Sequence, residues 1–197
     1  MTYIVSGNKY SFIQTKPDRT SGMITAKMTT VEPDEDEFIE NSMSARLTLE
    51  QDIVDTCKSQ GQVEVLPLTR TVPDGVNKLK HYNNIIEEAT LLAEAAIYKN
   101  TLRCMPTYVL ISADLLPLFA CTRDFIKTNV TEIAGTYNAG MCKGIKVLVS
   151  PVLERGQMVF GVNDSVSSGA VTIMNEEGKI CNKIINPSSF VTVILED

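Results

Sequence analysis

Pro106-Thr107-Tyr108-Val109-Leu110-Ile111-Ser112-Ala113-Asp114-Leu115-Leu116 is the stretch on which the fold turns. Thr107 to Ile111 is short and continuously apolar, the pattern of a strand buried on both faces rather than one that alternates between core and water. Ser112 then stands where a hydroxyl can cap a helix start, and a short helix is expected to run through Leu118. A buried strand delivering the chain straight into a helix implies an α/β core, with helices on at least one side of Val109, Leu110 and Ile111.

Upstream, residues 82 to 99 place Ile85, Ile86, Ala89, Leu92, Ala93, Ala96 and Ile97 at helical spacings on one face. Residues 33 to 60 read as one longer helix. Pro33 suits its first position, and Asp34 to Glu37 set negative charge at the positive end of the helix dipole. Phe38, Ile39, Met43, Leu47, Ile53, Val54 and Cys57 form its apolar stripe, Lys58 lies in the last turn, and Gly61 is the expected stop. Before it, Thr2 to Ser6 and Lys9 to Ile13 flank Gly7-Asn8, a hairpin signal, and Met23 to Val31 reads as a further strand after the turn-rich Lys16 to Gly22. Downstream, residues 121 to 144 are polar and glycine-bearing and are expected to form a long loop. Strands follow at Ile145 to Val149, Met158 to Val162, Ala170 to Met174, Lys179 to Ile185 and Phe190 to Leu195.

The composition fits a globular chain: 197 residues, 44% hydrophobic and 21% charged. A chain of this length can bury about 70% of its unfolded surface, so one sizeable core is expected. The net charge of -6 and the lack of any long Lys/Arg cluster argue against a dedicated nucleic-acid grip, which needs positive charge to displace counterions from phosphates. Cys57, Cys104, Cys121, Cys142 and Cys181 are odd in number, widely spaced and without a CxxC, so reduced thiols are expected rather than disulfides or zinc. No secretory leader opens the sequence, and no apolar run approaches the ~20 residues of a membrane span.

The sequence offers little for catalysis. His81 is the only histidine and sits at the polar start of a helix, where a solvated helix-end role accounts for it. Pairing it with Cys104 or Cys121 as a nucleophile has no local signature in support. Gly140-Met141-Cys142-Lys143-Gly144 lacks the spacing and the Ser/Thr of a phosphate loop, and a glycine turn before a strand explains it better. The acidic run Asp34 to Glu37 could hold a divalent cation, but a dipole-matched helix start is the stronger explanation. No catalytic, cofactor-binding or metal-binding residues are expected, and no cofactor.

Three stretches, in order, resemble the major capsid proteins of tailed bacteriophages, whose shell fold (the Hong Kong ninety-seven fold) is shared with encapsulins. Ile24-Thr25-Ala26-Lys27, leading to Leu49-Glu50-Gln51-Asp52-Ile53-Val54-Asp55, is similar to the strand and spine helix of large contractile-tailed phages. Pro106 to Leu116 is similar to the strand, Ser-x-Asp and helix of the family's axial domain. Gly144-Ile145-Lys146-Val147-Leu148-Val149-Ser150-Pro151, followed by Val159-Phe160-Gly161, resembles its Gly-x-x-Val-x-Val-x-Pro … Val-Gly strands. The N-terminus departs from the pattern: about 30 residues precede the long helix, where family members usually carry a longer arm and often a scaffold region removed by a protease.

The resemblance implies an α+β capsid-type fold with a long spine helix, a peripheral β-sheet, an α/β axial domain and an N-terminal extended β-hairpin. Residues 1–28 would be the extended loop, 29–61 with 166–197 the peripheral domain, and 62–165 the axial domain. It implies a structural protein and not an enzyme, self-assembling into the pentamers and hexamers of a virion capsid made in a bacterial host cytoplasm. Packaged DNA would be a non-specific interior neighbour, and no membrane is involved. Tyr3, Ile4, Val5, Tyr10, Phe12 and Ile13 would be subunit-interface residues, because an isolated two-stranded ribbon is marginal in water and must lie on something. The alternatives are an encapsulin-like compartment shell and a small α/β enzyme using Cys121 or His81.

Overall fold

The computed structural model describes residues 3–6, 9–17, 24–31, 35–101, 105–128, 137–162, 170–174 and 180–196. Side chains are described at residue 44 and at 46–101, 105–128, 137–162 and 185–196. The chain is a mixed α+β fold. In order, its elements are β1 (Tyr3–Ser6), β2 (Lys9–Pro17), β3 (Ile24–Val31), α1 (Glu35–Ser59), β4 (Val63–Leu66), α2 (Lys78–Thr101), β5 (Tyr108–Ile111), α3 (Leu116–Ala120), β6 (Phe125–Lys127), β7 (Tyr137–Cys142), β8 (Ile145–Val149), β9 (Gln157–Gly161), β10 (Ala170–Met174), β11 (Ile180–Ile185) and β12 (Phe190–Leu195).

Seven strands form the central sheet, in the order β4-β12-β9-β5-β8-β7-β6. β4 runs parallel to β12, and β5 parallel to β8; the other pairs are antiparallel. Strand alternation divides the core in two. Val109 and Ile111 join Val147, Phe160, Val191 and Val193 beneath α2 and α3. Leu110, Leu148, Val159 and Phe190 face the other way, against Ile53, Val54 and Cys57 of α1. The sheet is therefore covered by helices on both faces, which explains why β5 is apolar at every position.

Helix α1 is unbroken over 25 residues, about 37 Å at 1.5 Å per residue. It ends as expected at Gly61, whose φ of 68° only glycine adopts freely. The Gln62 N–H donates to the Cys57 carbonyl at 2.8 Å and the Gly61 N–H to Lys58 at 3.3 Å, the paired bonds of a Schellman stop. Pro33, Asp34 and the side chains of Phe38, Ile39 and Met43 lie outside the described residues. Helix α2 buries Ile85, Ile86, Ala89, Thr90, Ala93 and Ile97, the expected face with Thr90 added; Leu92 and Ala96 are only partly covered.

Three expectations need correction. First, residues 121 to 144 are not one loop: β6 and β7 pair antiparallel there and carry the sheet to its edge. The ladder shifts register between Asn138 and Gly140, and a β carbon on Gly140 would overlap the Ile126 carbonyl oxygen. A polar, glycine-bearing run is what such a bulge requires, and it hides the strand from pattern reading. Second, Ser112 takes the N-cap position of a 3-10 turn, Ala113–Leu115, but makes no side-chain cap bond. The neighbouring Asp114 does the fastening: its carboxylate accepts from the Gly156 N–H at 3.2 Å and from Arg70. Third, β12 lies in the central sheet between β4 and β9, not in a separate sheet with β10 and β11, which pair with each other. Its Val191, Val193 and Leu195 bury beneath α2, so apolar burial draws the C-terminal strand into the large core.

Val109 is 1% exposed at the centre of this sheet. Val109→Asp leaves an unpaired charge among apolar neighbours and is expected to cost about 3–5 kcal/mol, read as a fall in thermal midpoint by circular dichroism. An unchanged midpoint would refute the central placement of β5.

Candidate functional site

The expected interface residues lie on β1 and β2. These strands form a hairpin about Gly7-Asn8, with Ser6 opposite Lys9, and β3 pairs along the whole of β2 from Tyr10–Val31 to Pro17–Ile24. The ribbon is thus three-stranded rather than two-stranded, and β2 runs four residues further than expected, from Ile13 to Pro17. The register sets Tyr3 opposite Phe12 and Val5 opposite Tyr10, which puts these four on one face of the ribbon, while Ile4 and Ile13 fall on the other. Their side chains lie outside the described residues. β1, β2 and β3 pair only with one another among the described strands.

Beside the apolar contacts of Ile53, Val54 and Cys57, a polar contact joins α1 to the sheet. Glu50 is 3% exposed, one turn before the buried Ile53 and Val54. Its carboxylate accepts from the Ser150 Oγ at 2.5 Å and from the Arg46 Nε at 3.1 Å. Ser150 follows β8 directly, so the bond joins the helix to the end of a central strand. Beside it, the Tyr108 ring crosses Gly161, where a β carbon would come within 2.5 Å of the ring. Burial, with the Glu50 carboxylate behind it, pushes the Tyr108 phenol well above its ordinary value. Burial likewise raises the Cys57 and Cys142 thiols, offset in part at Cys142 by the Thr122 hydroxyl. None of the three is a ready nucleophile, since the thiolate and not the thiol reacts.

The outer strands of the large sheet were not anticipated as surface features. Val65 on β4 is 53% exposed and Leu91 on α2 is 57% exposed; they line a shallow groove of about 390 Å³ with Leu66, Pro67, Glu88 and Leu92. At the opposite edge, Ile126 on β6 is 71% exposed and pairs across the ladder with Met141, itself exposed. The Ile126 signal was within reach, because Phe125-Ile126 is apolar inside a polar run, but without the bulge at Gly140 nothing identifies it as an edge strand.

The His81 Nε2–H donates to the Thr69 carbonyl at 2.8 Å and pins the segment after β4 to the start of α2. Cys121 is half-buried at the end of α3, and Cys104 and Cys181 lie outside the described side chains. Among the described residues, no cluster of three His, Cys, Asp or Glu side chains could hold a metal ion. No helix there is long and apolar enough to cross a membrane. Comparison with models of known protein families matches none of them, and comparison with curated proteins finds no relative.

Two measurements test this account of the α1 seat. Ser150→Ala removes the donor to a buried carboxylate and is expected to cost about 1.5–3 kcal/mol in urea unfolding, with an unchanged m-value. An unaltered midpoint would show that Glu50 does not depend on Ser150.

The raised phenol and thiol values mean that the folded chain holds these protons more tightly than the unfolded chain does. Their contribution is intact below the unfolded values, about 8.5 for Cys and 10 for Tyr, and is lost as pH rises through them toward the folded values. Urea midpoints are expected to fall steadily above about pH 8.5, and Tyr108→Phe should flatten the part beyond about pH 10. Identical alkaline limbs in wild type and variant would rule out Tyr108 as a source.

Proposed function

We propose that the chain is a structural subunit of a shell of the tailed-phage capsid type, which assembles in many copies around DNA and catalyses no reaction. The observation that carries this reading is the N-terminal ribbon: three strands that, among the described strands, pair only with one another, with Tyr3, Val5, Tyr10 and Phe12 on one face. Such a ribbon gains stability by lying on another surface, and in a shell that surface is the neighbouring subunit. The unbroken α1, seated through Glu50 and Ser150 on a sheet covered on both faces, supports the assignment of a spine helix. The three stretches that resemble the family fall on β3 with α1, on β5 with α3, and on β8 with β9.

In this reading residues 1–28 reach onto a neighbour, α1 is the spine of the peripheral domain, and the seven-stranded sheet is the centre of the axial domain. The C-terminal strand β12 then belongs with the axial sheet, and β10 and β11 are what remain for the periphery. The net charge of -6 suits a wall that neighbours DNA without gripping it.

Light scattering on the purified chain is the direct test. Capsomers or closed shells are expected, and a monomer at every concentration would overturn the reading. Deleting residues 1–20 is expected to leave the circular dichroism of the body unchanged and to abolish the larger species. Loss of all folded signal on deletion would mean that the ribbon belongs to the core. Shells that enclose protein in place of nucleic acid would point to an encapsulin-like compartment.

A further inference from the structure

The two outer strands of the central sheet are opposite in charge and alike in exposing apolar side chains. On β4, Glu64 is exposed next to Val65. On β6, Lys127 is exposed next to Ile126; the neighbouring Arg123 and Asp124, both exposed, offset each other. Open edge strands invite pairing with another chain, and charges placed on them decide which pairings are permitted.

Register shows how these residues are arranged across the sheet. Val65 lies opposite Ile194, which lies opposite Gln157, while Ile126, Met141, Lys146 and Tyr108 form one row. Tyr108 faces α1, so Ile126 is on the α1 face, and the β4 alternation that points Leu66 toward α2 puts Val65 on the α1 face as well. The helix covers the middle of that face and leaves both apolar ends bare. Glu64 and Lys127 occupy the opposite face, in step with Leu66 and Phe125. Four of the six ladder steps from β4 to β6 are antiparallel, so the two outer strands run in the same direction.

We infer that β4 of one copy pairs with β6 of the next, so that the sheet continues head to tail from subunit to subunit. Because both edges present the same faces in the same direction, the junction is a parallel strand pair. With Val65 opposite Ile126 on one face, Glu64 stands opposite Phe125 on the other and meets Lys127 across the diagonal, within reach of two long side chains. Like edges are discouraged: β4 against β4 opposes Glu64 to Glu64, and β6 against β6 opposes Lys127 to Lys127. An interface between unlike patches generates rings when the rotation closes, whereas a self-complementary patch stops at a dimer. The inference rests on the reading of the chain as a self-assembling subunit and adds the surface by which copies join within a ring.

The test is charge reversal in the full-length chain, followed by sedimentation velocity over a concentration series. Glu64→Lys and Lys127→Glu should each raise the concentration needed for assembly about tenfold or more, and the double reversal should bring it back toward wild type. Ile126→Asp should act like a single reversal. All three residues concerned are exposed, so unchanged thermal midpoints are expected and serve as the folding control. If wild type assembles and the single variants assemble equally well, this interface is wrong while the shell reading stands. Failure of the double variant to recover overturns the head-to-tail pairing, as would assembly that stops at a dimer. A wild-type chain that stays monomeric throughout overturns both.

Discussion

A sheet that is apolar on both faces must be covered on both, and the rest of this molecule follows from that constraint. The central strands β5, β8, β9 and β12 direct alternate residues to opposite sides, and both sets are buried. Each fully buried aliphatic side chain contributes about 1.5–3 kcal/mol, so neither layer can be left in water without forfeiting most of the margin of a typical domain. α2 and α3 close one side. The other is closed by α1, which comes before the sheet in sequence and supplies Ile53, Val54 and Cys57.

Apolar contact alone would let a long helix slide or rotate on a layer of Leu, Val and Phe, and Glu50 limits that freedom. A buried carboxylate is costly without partners, by several kcal/mol, and tolerable when its oxygens are hydrogen-bonded. Here the partners sit at fixed places: Ser150 at the end of β8 and Arg46 one turn back on the same helix. Arg46 travels with the helix, so it is the bond to Ser150 that ties Glu50 to one place on the sheet while Ile53 and Val54 are buried. The stabilisation is modest next to the apolar term, so the pair acts mainly to choose the register of helix on sheet. Tyr108 belongs to the same arrangement, since its ring reaches the α1 side only because Gly161 leaves room for it.

How much of this could be read from the sequence depends on how local the signal was. α1, α2, β5, β8 and β9 carry their signals within the segment: helical spacing, a glycine stop, or a short continuous apolar run. β12 was legible as a strand, but its place was not. Parallel pairing with β4, more than a hundred residues earlier, is a long-range choice that no local pattern encodes. β4 is a four-residue strand with a charge in its middle and half its residues exposed, so periodicity had little to work with. β6 and β7 were hidden by the Gly140 bulge. The hairpin at Gly7-Asn8 was legible and its backbone register agrees, whereas the exposed apolar edges at Val65 and Ile126 were missed because an edge is a property of the assembled sheet.

The two kinds of unfinished surface carry different physics. The N-terminal ribbon has main-chain partners along the whole length of β2 and, among the described strands, joins no other sheet. The outer strands β4 and β6 lie on a buried core and lack main-chain partners along one side among the described residues. A ribbon on a neighbour contributes mostly apolar area, which is tolerant of direction. A strand joined to a strand contributes hydrogen bonds, which require direction, register and face to agree together. Here direction and face already agree between β4 and β6, with opposite charges on one face and apolar side chains on the other. Strand addition at that edge would define the geometry between neighbours, and the ribbon would supply adhesion once the geometry is set. In the proposed subunit, this division would let one small chain form contacts that are both strong and specific without enlarging its core.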